Sequence, residues 1–160
     1  MDDRPYFLSV EEAQAICNAT PVKPRVEHVP LDRCSGRVLA EDLSSQVDDP
    51  PFDNSSMDGF ACKFDTEATY PLMLNIVGLQ AATGQNEDRH VLDGEAVRIM
   101  TGAPMPPGAD AILPIEKCEI QGDHVHLLEA PKPHFVRKKG ENLSQGDVAL
   151  TKGQHLTPSR

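Results

Sequence analysis

From its N-terminal end the chain first shows a helical period and then, from Val47 onward, a two-residue one. Ser9-Val10-Glu11-Glu12 has the form of a capping box, in which Ser9 accepts from the Glu12 amide and Glu12 reaches back to the Ser9 amide. It predicts a short amphipathic helix with Val10, Ala13, Ile16 and Cys17 on one face, ended by Pro21 and Pro24. Residues 25–31 (RVEHVPL) alternate as an edge strand with Pro30 near its end, and residues 31–43, with Gly36 and the run RVLAEDL, predict a second short helix.

Past residue 46 the signals are those of strands separated by turns. Strands are predicted over 59–63 (GFACK), 72–79 (LMLNIVGL), 96–100 (AVRIM) and 109–114 (ADAILP). Residues 117–120 and 124–128 flank Gln121-Gly122-Asp123, a hairpin by composition. Residues 83–94 form a polar loop, 136–146 a charged and glycine-punctuated one, and VALTKGQHL near the end is strand-like. The expected fold class is α+β, mostly β. Residues 46–137 make a β-rich domain inserted into a smaller one built from both flanks, 1–45 and 138–160.

Composition narrows this picture. A length of 160 residues suits one ordinary domain or two small ones, and 14 Pro with 11 Gly disfavour a helical bundle. Trp is absent and aromatics are 4%, so the core must be mainly aliphatic. A net charge of −10 argues against nucleic acid or an anionic membrane surface as partner. No apolar run approaches a membrane span, and the acidic N-terminal stretch has no h-region of a signal peptide. The four cysteines (Cys17, Cys34, Cys62, Cys118) are scattered without a CxxC pair, which reads as buried free thiols in a reducing, cytoplasmic compartment.

Candidate chemistry gathers in three clusters. The densest is residues 48–60 (DDPPFDNSSMDGF), with Asp48, Asp49, Asp53 and Asp58 on a proline-stiffened loop. Asp58 sits at the loop-to-strand junction, where it can offer a carboxylate to metal, substrate or proton, while Gly59 permits an unusual φ. The plainer alternative is that these Asp and Ser residues only cap and turn. In the second cluster, residues 98–110 (RIMTGAPMPPGAD), Thr101 offers a hydroxyl at a strand end. Gly102 there offers an unhindered amide able to receive an oxyanion, the alternative being a stiff connection with no ligand. The third is Arg137-Lys138-Lys139, which could receive a phosphate or oxyanion or simply be a solvated charge run. His124 and His126 share a strand face but lack a third metal ligand. No G-x-S-x-G elbow or Walker loop occurs.

These same clusters carry a resemblance. Residues 51–61 (PFDNSSMDGFA) resemble the P-x-x-x-S-x-M-D-G-[YF]-A signature of the MoeA and gephyrin E-domain family, the molybdopterin molybdenumtransferases. Residues 98–110 resemble the family's R-I-x-T-G-A-x-x-P-x-G-A-[DE], and residues 36–42 (GRVLAED) and 137–141 (RKKGE) match two further blocks in order. Asn142 departs from the Asp usual after Gly-Glu, and the S-T-G-[DN]-E, S-G-G-x-S and P-G-[NK]-P blocks of a pterin-binding domain are missing.

The resemblance implies a β-rich inserted domain and an elongated α/β domain built from both flanks. It implies a homodimer whose cleft lies between subunits. The implied reaction inserts molybdenum from molybdate into adenylylated molybdopterin, with Mg2+ or another divalent ion assisting. On the motif match Asp58 and Thr101 are the expected catalytic residues, Asp58 also the metal ligand, and Ser56, Gly102 and Arg137 the substrate-binding residues. The chain is expected to be the N-terminal region of such an enzyme and inactive without the pterin-binding domain. The alternative is a non-catalytic binding or assembly module that keeps the scaffold.

Overall fold

A computed structural model describes residues 7–21, 23–83 and 89–159. Contacts divide the chain into two units, Met1–Ala40 with Lys152–Arg160, and Glu41–Thr151.

The smaller unit holds one α-helix, α1 (Val10–Ala19), begun by the expected capping box. The Ser9 amide donates to Glu12 Oε2 at 2.8 Å and the Glu12 amide to Ser9 Oγ at 3.1 Å. Its expected apolar face stays uncovered: Val10 is 70% exposed, and no described residue of this unit is buried. Two expectations fail here. Residues 25–31 form no strand; they have no ladder partner, and Pro30 leads directly into a 3-10 turn, Leu31–Arg33. The second helix over 31–43 does not form either. Gly36, at φ +82°, breaks the turn, and the chain then runs extended against the returning C-terminal segment. The Gly36 and Leu39 amides donate to the Leu156 and Gln154 carbonyls, and Leu156 donates back to Arg37. Long-range pairing overrides a helix-favouring composition.

In the larger unit the strands are β1 (Leu43–Ser44), β2 (Asn54–Ser55), β3 (Gly59–Cys62), β4 (Leu72–Gln80), β5 (Glu95–Ile99), β6 (Ala111–Pro114), β7 (Cys118–Gln121), β8 (His124–Leu127), β9 (Val136–Arg137) and β10 (Val148–Leu150). Six form a mixed sheet of order β6-β3-β5-β4-β8-β7, in which β4 and β5 run parallel and the other neighbours antiparallel. β1 pairs with β10, and β2 with β9. The expected boundaries differ from this division. Residues 41–45 and 138–151 fall in the larger unit because β1 pairs with β10 and because the 140–147 loop bonds to residues 45–50.

The predicted strand alternation is what builds the core. β3 and β6 are buried at every position, so each feeds both sheet faces. Phe60 and Cys62 pack with Leu74, Leu113, Val125 and Leu127 on one face, and Ala61 with Ile99, Ile112 and Val136 on the other. The 121–123 turn closes the β7–β8 hairpin with Gly122 at φ +60°. Part of the expected loop over 83–94 lies outside the described residues.

Gly59 has a different reason to be glycine from the one expected. Its φ is not positive. A Cβ there would lie 2.1 Å from the Leu113 carbonyl oxygen, because β3 is squeezed between β5 and β6, with Gly59 opposite both Ile99 and Pro114. Backbone cannot retreat as a side chain can, so Gly59→Ala is expected to cost about 3 kcal/mol or more, at the top of the overpacking range. Urea unfolding measures it; a loss below about 1 kcal/mol would mean that β6 shifts freely.

Candidate functional site

Asp58 stands just before β3, and its carbonyl accepts from the Ile115 amide at 3.0 Å. Thr101 lies two residues beyond the end of β5. Because β3 and β5 are antiparallel neighbours with Gly59 opposite Ile99, the loop entering one and the loop leaving the other emerge at the same sheet edge. Residues 43 apart in sequence thereby touch: Asp58 Oδ1 accepts from both the amide and the hydroxyl of Thr101, each at 2.7 Å. These two bonds, hydroxyl first and amide second, hold the Asp58 carboxyl below its ordinary value, with Arg98 adding a smaller electrostatic pull. The carboxylate is exposed, and among the described residues nothing donates to its other oxygen.

The turn after β5 does not present bare amides. Gly102, at φ +81°, donates to the Ser55 carbonyl at 2.8 Å, and Ala103 donates to Met100 at 2.9 Å. With the Thr101 amide on Asp58, the N–H groups expected to receive an oxyanion are all committed within the protein. The Thr101 hydroxyl likewise points its proton at Asp58. Ser56 fastens the loop to the turn over 133–135, its amide and hydroxyl both donating to the Phe135 carbonyl at 2.9 Å.

The first and third sequence clusters prove to be two sides of one interface. Lys138 Nζ and the Lys139 amide donate to Asp53 at 2.7 and 2.8 Å. Lys139 Nζ lies 3.2 Å from Asp48, which also accepts from the Gln145 amide at 2.8 Å. Arg137 Nε donates to Glu141 at 2.9 Å, and Glu141 accepts from the Lys138 amide at 2.8 Å. Asn142 Nδ2 donates to Asp49 at 2.9 Å, a bond a carboxylate at position 142 could not make. Of the four loop carboxylates, therefore, three are paired with residues 138–145 and Asp58 alone is turned toward Thr101.

His124 and His126 do share the outer face of β8, half-buried. Among the described residues no group of three or more His, Cys, Asp or Glu is placed to hold a metal ion. The four thiols are free as expected, but only Cys62 is buried; Cys17 is exposed on α1, whose apolar face stays uncovered. Burial pushes the Cys62 thiol up to about 12 and the Cys118 thiol to about 11, so neither is a nucleophile at neutral pH. A cavity of about 670 Å³ lies at the opposite end of the sheet, between the exit of β3 and the starts of β4 and β5, away from Asp58.

Sequence reasoning missed Ser55, which is fully buried against the Thr101 turn, and the pairing of the acidic loop with the basic run. Opposite charge on two glycine- or proline-stiffened loops was the one available signal for the latter.

The sequence model described as the MoeA N-terminal region (domain I and II) matches residues 8–160, and the chain belongs to that family. A molybdopterin molybdenumtransferase of Synechococcus elongatus is 40% identical over 139 residues, which is 83% of this chain and 34% of that protein. One from Haemophilus influenzae is 34% identical over 155 residues, 95% of this chain and 38% of that protein. The crystal structure of a molybdopterin biosynthesis MoeA protein from Pyrococcus horikoshii superposes with TM-score 0.76 at 33% identity, covering 83% of this chain and 36% of that one. The chain thus spans little more than a third of the length of these relatives.

The clamp between the two loops makes a prediction about acid. Asp48 is held below its ordinary value first by the Gln145 amide and then by Lys139, Asp53 by Lys138 and then the Lys139 amide, and Glu141 by the Lys138 amide and then Arg137. A carboxylate depressed in the folded state contributes stability above its unfolded pKa, near 4, and loses it as pH falls through the lower folded value. The melting temperature should therefore drop as pH falls below about 4. In an Asp48→Asn/Asp53→Asn variant it should drop less steeply over that window, starting from a lower value at neutral pH. Parallel curves for the two proteins would show that the clamp carries no proton linkage.

Proposed function

We propose that the chain is the half of a molybdopterin molybdenumtransferase that supplies Asp58 to the reaction inserting molybdate-derived molybdenum into adenylylated molybdopterin. The observation that carries this reading is the Asp58–Thr101 pair, an exposed carboxylate with one oxygen fixed by two short hydrogen bonds and the other without a donor among the described residues. Two donors on one oxygen keep the group ionised and fix its direction, the preorganisation that a reacting centre needs. Thr101 acts through Asp58 by orienting it. Gly102 frames the pair through its bond to Ser55, Ser56 anchors the loop to the 133–135 turn, and Arg137, with only Nε engaged among the described residues, keeps further N–H groups for an anionic substrate.

Both substrates are anions, as is Asp58. Asp58 fits as one ligand of a divalent ion such as Mg2+, which binds through one or two carboxylates plus substrate phosphates rather than in an all-protein cage. Such an ion, when bound, neutralises the charge between carboxylate and substrates. The remaining binding surface is supplied by the pterin-binding domain of a partner protomer. A smaller unit with no buried residue among those described, and with Leu31, Val10 and Val26 all at least 68% exposed, supports a scaffold that is covered in a homodimer. The same observation supports the second reading, an assembly module without catalysis, and the two part on activity.

In a full-length protein, or this chain co-expressed with a pterin-binding domain, Asp58→Asn is expected to lower molybdenum insertion by roughly 100-fold or more. Thr101→Val, which leaves the carboxylate in place but loosens it, should cost about tenfold. Product formation from molybdate and adenylylated molybdopterin is the readout. An Asp58→Asn protein with wild-type turnover would leave the assembly-module reading standing.

A further inference from the structure

Ser55 is 1% exposed, and it spends every polar group it has on two segments. Its backbone goes to the turn after β5: the amide donates to the Ala103 carbonyl at 3.0 Å, and the carbonyl accepts from the Gly102 amide at 2.8 Å. Its side chain goes to the turn that delivers Asp58: Oγ donates to the Met57 carbonyl at 2.5 Å and accepts from the Met57 amide at 3.1 Å. One buried residue is thus bonded to the neighbours of both members of the Asp58–Thr101 pair while touching neither side chain. Two buried side chains have amide oxygens with no partner among the described residues, Asn54 beside it on β2 and Gln80, whose backbone carbonyl accepts from the Met100 amide. The Met105 amide also donates to the Asp53 carbonyl at 2.9 Å, so the backbone of the loop meets the turn after β5 at residues 53 and 55.

We propose that Ser55 is the positioning residue of this site: its backbone ties the loop to the 101–103 turn, its hydroxyl closes the turn that delivers Asp58, and together they set where the Asp58 carboxylate meets the Thr101 hydroxyl. This rests on the reading of Asp58 and Thr101 as the working pair. Removing the hydroxyl leaves the Met57 amide and carbonyl without partners in a closed turn, and buried polar groups do not stay unpaired cheaply. The turn reopens, and Asp58, one residue on, loses its fixed approach to Thr101. The neighbouring Ser56 makes a useful contrast, because its bonds go to Phe135 and not to the Thr101 turn.

The test is a carboxyl NMR titration of the whole chain, read together with amide hydrogen exchange. In the wild type Asp58 should titrate below the ordinary aspartate range, and Thr101→Val should raise its midpoint. Ser55→Ala should raise it too, and should speed exchange at the Thr101 amide by roughly tenfold, the effect of losing about one hydrogen bond. The titrations of Asp48 and Asp53, held by the separate 138–145 loop, should not move, which a general loosening of the fold would not spare. Ser56→Ala should leave Asp58 where it is. If Ser55→Ala does not fold, Ser55→Cys, with its weaker donor and similar size, should show the same upward movement in smaller degree.

The proposal is overturned if Thr101→Val moves Asp58 while the folded Ser55 variant does not, or if the Ser55 variant moves all three aspartates together. A Thr101→Val protein in which Asp58 keeps its midpoint would instead overturn the pair itself.

Discussion

The structure depends on how closely β3 is held between its two neighbours. Gly59 opposes Ile99 on one side and Pro114 on the other, with no room for even a methyl group toward Leu113. That contact fixes the register of the central strands, and register decides which loops share an end of the sheet. A slip of one residue would turn Phe60 and Cys62 out of their core cluster and would also part Asp58 from Thr101. Packing and chemistry are therefore set by the same hydrogen-bond ladder. Neither Asp58 nor Thr101 contributes to the core, yet their meeting is a by-product of how it forms.

Around that centre the charges sort by partner. The loop entering β3 carries four carboxylates, and three of them are answered from residues 138–145 by lysines, backbone amides and Asn142. The pairs are exposed, so each adds little to stability alone. Their joint effect is on direction: they hold a proline-rich loop in one orientation and leave a single carboxylate available. The net charge of −10 is in this sense an incomplete guide to the site, because Lys138 and Lys139 are set directly against carboxylates of the loop.

How much of this was legible in the sequence follows from the range of the interactions. The capping box at Ser9 and the strands from β3 to β8 were, since both depend on neighbours within a few residues or on strict alternation. The second helix was not, because RVLAEDL has helical composition but is held extended by a segment more than a hundred residues away. Asp58 and Thr101 stood out through their motifs and their places at strand ends. Their contact did not, nor did the commitment of the Gly102 amide to Ser55, since both are consequences of sheet order. Ser55 is the serine that the signature over 51–61 fixes, yet its residue chemistry did not part it from Ser56; its burial in the β2–β9 pair does.

The larger unit opens with β1 and closes with β10, and these two strands lie side by side with Leu43 opposite Leu150. A segment that begins and ends at one point makes a single junction with whatever carries it. Residues 41–151 thus leave and return through two neighbouring strands. Insertion, removal or transfer of such a segment leaves the rest of the backbone trace unbroken. The fold is thus built as a cassette, with the carboxylate–threonine pair and everything that aligns it carried inside.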